Sequence, residues 1–107
     1  MTSEQLAQIL RSLRRALSEV LGDQLDGVYL FGSQARGDAR SESDIDVLVV
    51  VRGRVEYPDM IRRTSAVVAA LSLEHGVVIS RAFVSRERFK RENSPFLLNV
   101  RREGVAI

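Results

Sequence analysis

Asp44 and Asp46 flank a single isoleucine at the head of the apolar run Val47-Leu-Val-Val-Val51. On a strand, residues two apart project to the same face, so the two carboxylates point together while Ile45 and Val47 point the other way. Neighbouring carboxylates repel and raise the pKa of at least one of them, a cost that a bound cation relieves. Upstream, with ten residues between Ser33 and Asp44, lies Gly32-Ser33. A glycine lets the backbone approach a phosphate closely. A serine can donate its hydroxyl and open a helix whose N–H groups face an anion. With oxygen-only ligands and phosphates nearby, the cation that suits the aspartates is magnesium.

Each feature has a plainer use. Gly32-Ser33 could be a strand-to-helix turn with a serine cap, and the aspartates could be solubilising charges at a strand edge. The conjunction favours chemistry, because carboxylates at the mouth of an all-apolar strand are costly to bury without a use. His75 stands just before Gly76 at the end of a helical pattern, where a histidine complements the helix dipole. The pairs Arg14-Arg15, Arg62-Arg63 and Arg101-Arg102 read as solvated helix faces first and partner contacts second. Phe83, Phe89 and Phe96 read as core or as a partner-facing apolar patch, since no alternation of basic and aromatic residues surrounds them.

The elements that must position these residues follow from periodicity. Leu6, Ile9, Leu10, Leu13, Leu17, Val20 and Leu21 recur at helical spacing, with Thr2 and Gln5 as a capping box and Gly22 as the stop. Residues 26–31 read as a short strand entering the Gly32-Ser33 turn, and residues 33–36 as the first turn of a short helix. Residues 44–51 read as a central strand, closed by Arg52-Gly53. Pro58 and Asp59 open a helix with a buried stripe of Ile61, Thr64, Val68 and Leu71 that ends at Gly76. A third strand is expected over 77–84. Ser85 caps a short helix through Phe89, and Ser94-Pro95 starts another that carries Phe96, Leu97 and Val100 to Gly104. The fold class is α/β, a small mixed β-sheet flanked by helices.

The 107 residues, 45% of them hydrophobic, suffice for one domain, 1–107, with one core. Sixteen basic against fourteen acidic residues leave a formal charge of +2, so composition does not argue for direct nucleic-acid binding. The absence of cysteine excludes thiolate catalysis and zinc-thiolate sites. The longest apolar run, residues 66–71, is too short to cross a bilayer, and the N-terminus lacks the form of a signal peptide. A cytoplasmic location is expected.

The stretches Leu30-Phe-Gly-Ser-Gln-Ala-Arg-Gly37 and Ser43-Asp-Ile-Asp-Val-Leu-Val-Val50 resemble the nucleotidyltransferases of the DNA polymerase β superfamily, most closely the minimal, single-domain branch. The resemblance implies a polymerase β-like fold and transfer of a nucleotide from a nucleoside triphosphate to a hydroxyl, with pyrophosphate leaving. It assigns Asp44 and Asp46 to catalysis and to Mg2+, and Gly32 and Ser33 to the β and γ phosphates of ATP. Arg36 follows closely enough to add a further cation. Free-standing chains of this branch are typically antitoxins that adenylylate a tyrosine of a helical HEPN ribonuclease toxin, so the resemblance implies such a partner.

One departure stands out. Many members carry a third carboxylate on the strand after the second helix, whereas here that strand reads Val77-Val-Ile-Ser-Arg-Ala-Phe-Val84. Ser80 falls near the vacant position, and a serine cannot act as a base at neutral pH without help. The rival readings are therefore an antitoxin that binds nucleotide but no longer catalyses, and an enzyme acting on a small hydroxylated molecule. The latter usually has an additional helical domain.

Overall fold

A computed structural model describes residues 1–37 and 44–107. Helix α1 (Ser3–Leu21) opens on the expected capping box: the Thr2 side chain accepts from the Gln5 backbone N–H, and the Gln5 side chain accepts from that of Thr2. A single 3-10 turn, Gly22–Gln24, leads into strand β1 (Leu25–Phe31). Helix α2 (Ser33–Arg36) follows at once, then strand β2 (Ile45–Val51) and helix α3 (Tyr57–His75). Strand β3 (Ile79–Ser85), helices α4 (Arg86–Arg91) and α5 (Pro95–Glu103) and strand β4 (Val105–Ala106) complete the chain.

The four strands form one sheet in the order β3-β2-β1-β4. β1 runs antiparallel to both β2 and β4, while β2 and β3 are parallel, joined by the α3 crossover. The sheet is therefore mixed, as expected, and β2 is central. Its residues alternate between two apolar layers. Ile45, Val47, Val49 and Val51 pack with Ile9, Leu13 and Leu17 of α1 and Met60 and Val68 of α3. Leu48 and Val50 face the other way, onto Leu97 and Val100 of α5 with Tyr29, Phe31, Ala82 and Phe89 beside them. Both faces of β2 are thus covered, which is why its sequence is apolar without interruption after Asp46.

Several boundaries shift from the sequence expectation. The second strand starts at Ile45, leaving Asp44 just ahead of it. The third starts at Ile79 rather than Val77, because the Val77 N–H still bonds to Ser72 at the end of α3 and Val78 is exposed. Tyr57, not Pro58, is the first residue of α3. The buried stripe of α3 is centred on Met60, Thr64 and Val68, with Ile61 and Leu71 at its margins. Strand β4 was not expected.

In two of the three pairs one arginine is structural rather than solvated. Arg63 donates to the Val20 carbonyl and the Gln24 side chain, tying α3 to the end of α1. Arg101 donates to the Phe89 carbonyl, tying α5 to α4. Arg14 is half-buried, while Arg15, Arg62 and Arg102 are exposed. Among the described residues no helix is long and apolar enough to cross a membrane.

Candidate active site

The sharpest local feature is the turn between β1 and α2. Gly32 caps α2 with φ 74° and ψ −156°, a conformation reserved almost entirely for glycine. A Cβ built on it would lie 2.6 Å from Asp46 Oδ2. The backbone of the turn is thus pressed against the Asp46 carboxylate, and glycine is required twice over, for its torsion and for that approach. Ser33 is the first residue of α2 and does not cap it, since Gly32 holds that position and no side chain caps the helix. The commoner structural use of a serine at such a turn is therefore not the one made here.

Asp46 is partly buried and Asp44 exposed. Burial first, and the neighbouring Asp44 carboxylate second, hold the Asp46 carboxyl above the usual carboxylate range. Alternation along β2 puts Asp46 on the α4 and α5 side, the face of Leu48 and Val50. Its register partners are Phe31 on β1 and Ser80 on β3. Cross-strand partners share a face, so Phe31, Asp46 and Ser80 form a row across the end of the sheet. Ser80 is exposed.

Ser80 stands directly beside Asp46 on the neighbouring strand, the strand on which the resemblance leads one to expect a third carboxylate. Among the described residues, no group of three or more Asp, Glu, His or Cys side chains could hold a metal. Residues 38–43, which include the Ser43 of the resemblance motif, lie outside the described residues. Arg36, at the end of α2, places a guanidinium nitrogen 3.9 Å from Glu103 at the end of α5, with both side chains largely exposed.

The donor set fits magnesium. Two adjacent carboxylates, one with its charged form disfavoured, gain from a divalent cation. That ion ordinarily takes one or two protein carboxylates and fills the rest of its shell with phosphate oxygens and water. Strand β3 is anchored from its other face by Arg81, whose guanidinium donates to Thr64 Oγ1 at 2.8 Å, Ser65 Oγ at 3.0 Å and the Ile61 carbonyl at 3.1 Å. This network fixes Ser80 by fixing its strand, and periodicity alone did not disclose it. His75 lies in the last turn of α3, with Nε2 3.8 Å from Glu74. It plays no part in the row.

The nucleotidyltransferase domain family matches residues 10–102. A candidate protein adenylyltransferase of Methanocaldococcus jannaschii is 38% identical over 96 residues, spanning 89% of this chain and 90% of its own. Among solved structures, a candidate minimal nucleotidyltransferase is 29% identical with a TM-score of 0.57, covering 95% of each chain. A toxin–antitoxin structure containing AMP-PNP superposes with a TM-score of 0.63 at 18% identity, over 90% of this chain and 69% of the other. At that identity the last likeness speaks to the fold. The chain belongs to the nucleotidyltransferase domain family and is a transferase with the corresponding fold.

Proposed function

We propose that this protein binds ATP with Mg2+ at the corner formed by Gly32, Ser33, Asp44 and Asp46 and transfers AMP to a hydroxyl of a protein partner, a tyrosine of a HEPN-type toxin, so acting as a cytoplasmic antitoxin. The observation that carries the proposal is the approach of the Gly32 backbone to the Asp46 carboxylate. It brings together the glycine turn and the Asp46 carboxylate, which this reading assigns to the phosphates and to the cation. The family of the chain, its adenylyltransferase relative and the AMP-PNP of the structural neighbour support the donor. The toxin–antitoxin neighbour supports the partner.

In this proposal the acceptor hydroxyl gives its proton to solvent, its oxygen bonds to the α-phosphorus, the bond from that phosphorus to the bridging oxygen breaks, and pyrophosphate leaves. The Ser33 hydroxyl and the backbone of the turn hold the terminal phosphates. Asp44 and Asp46 would hold magnesium, which when bound lowers the pKa of an acceptor hydroxyl and neutralises charge on the leaving pyrophosphate. In this reading Arg36 adds positive charge. Its pairing with Glu103 is solvent-exposed and costs little to rearrange. Ser80 leaves the β3 side of Asp46 open to the acceptor.

A second reading, a nucleotide-binding antitoxin without catalysis, is favoured by one observation, the serine beside Asp46 where a third carboxylate would help deprotonate the acceptor. Pyrophosphate release separates the two. With ATP, magnesium and the HEPN-type partner present, the enzyme releases pyrophosphate in step with partner modification, whereas the binder holds ATP and releases none.

A further inference from the structure

The row Phe31, Asp46, Ser80 is asymmetric. On one side of the carboxylate stands a small, exposed serine and on the other an aromatic ring. The Phe31 ring meets Phe96, in the first turn of α5, edge to face at a centroid distance of 5.2 Å and an interplanar angle of 83°. Leu97 and Val100 take the core side of α5, and Phe96 is left 44% exposed. Phe96 is thus an exposed phenylalanine held by a ring that is itself the register partner of Asp46 and the residue before Gly32.

The transferred phosphorus carries three groups that must go in different directions: the leaving pyrophosphate, the incoming acceptor and the nucleoside. The first belongs to the Gly32-Ser33 turn, and the second fits the open Ser80 side. The nucleoside is left with the Phe31 side. We infer that Phe96 is the stacking platform for the nucleobase, with Phe31 as the residue that positions it. Phe96 then sets the preference of the site for a nucleotide over a bare polyphosphate. The inference rests on the triphosphate site proposed above.

Isothermal calorimetry with two probes, MgATP and magnesium tripolyphosphate, separates the base from the phosphates. Stacking on an aromatic side chain is worth about 1–3 kcal/mol per base, roughly 5- to 150-fold in affinity. Phe96→Ala should therefore weaken MgATP by about tenfold and leave tripolyphosphate unchanged, and Phe96→Tyr should restore MgATP. The chain has no tryptophan, so Phe96→Trp supplies a single reporter, quenched by MgATP and not by tripolyphosphate.

Equal weakening of both probes in Phe96→Ala would overturn the inference in favour of a structural role. Unchanged MgATP affinity together with loss of the partner complex would overturn it in favour of a docking surface. If the wild-type protein binds neither probe, the triphosphate site itself is wrong and the platform falls with it.

Discussion

Asp46 and Ser80 are direct register partners on adjacent parallel strands, and both face the α4 and α5 side of the sheet. A carboxylate and a hydroxyl thus stand where the chemistry of the family leads one to expect two carboxylates. The substitution Ser80→Asp restores the second. It should accelerate AMP transfer by placing a base or a further metal ligand beside the acceptor. Ser80 is exposed, so the new side chain fits, while a third negative charge lowers the melting temperature of the metal-free protein. A variant with unchanged turnover would mean that the β3 side of Asp46 is not where the acceptor enters.

Gly32 predicts a combined defect. An alanine there must adopt a torsion that costs about 1–3 kcal/mol, and its Cβ would overlap Asp46 Oδ2 at 2.6 Å. Gly32→Ala should lower stability by that amount and abolish MgATP binding by displacing the carboxylate. The sequence alone suggested only that the backbone there must approach a phosphate closely. Normal MgATP affinity in a folded Gly32→Ala would place the phosphate turn elsewhere.

The raised pKa of Asp46 has a defined sign. The folded state holds this proton more tightly than the unfolded chain, so stability is full below the unfolded pKa of about 3.9 and declines as pH rises through the folded value. Asp46→Asn removes the decline. The metal-free variant should melt higher than wild type at pH 7 and converge with it below about pH 4, while losing magnesium-dependent ATP binding. In the wild type, protons compete with the cation, so MgATP binding fails on acidification sooner than an ordinary aspartate would allow. A melting temperature that falls at pH 7 would make the carboxylate structural.

Thr64 is fully buried, donating to the Met60 carbonyl at 2.8 Å and accepting from Arg81 Nε at 2.8 Å. Thr64→Val keeps the shape and strips the acceptor, leaving part of a half-buried guanidinium unsatisfied. A loss of about 1–3 kcal/mol is expected in denaturant titration, with MgATP affinity retained. A neutral result would show that Arg81 finds other partners at no cost.

Much of this was legible because it rests on local rules. The Thr2 and Gln5 capping box, the Ser85 and Ser94 caps and the glycine stops at Gly22 and Gly76 involve residues within a few positions of one another. The alternation of β2 needed only its own side chains. The site was legible to the extent that Gly32, Ser33, Asp44 and Asp46 carry it, and the placing of Ser80 followed from strand counting.

What stayed hidden depends on distant partners. Strand β4 is two residues long and exists because the chain, turning at Gly104, meets the free edge of β1 at Tyr29 and Leu30. No period marks so short a segment. Arg63 and Arg101 look like their exposed neighbours until the carbonyls they reach are known. Phe96 reads as core or partner-facing in the sequence, and only its contact with Phe31, 65 positions away and the register partner of Asp46, ties it to the candidate site.

The central claim, AMP transfer from ATP to a protein hydroxyl, is tested most directly by the intact mass of the HEPN-type partner after incubation with this chain, ATP and magnesium. The account predicts mass added in whole AMP increments, located on tyrosine, and absent with chelator or with Asp46→Asn. A partner of unchanged mass in a stable complex with the wild-type protein would contradict it.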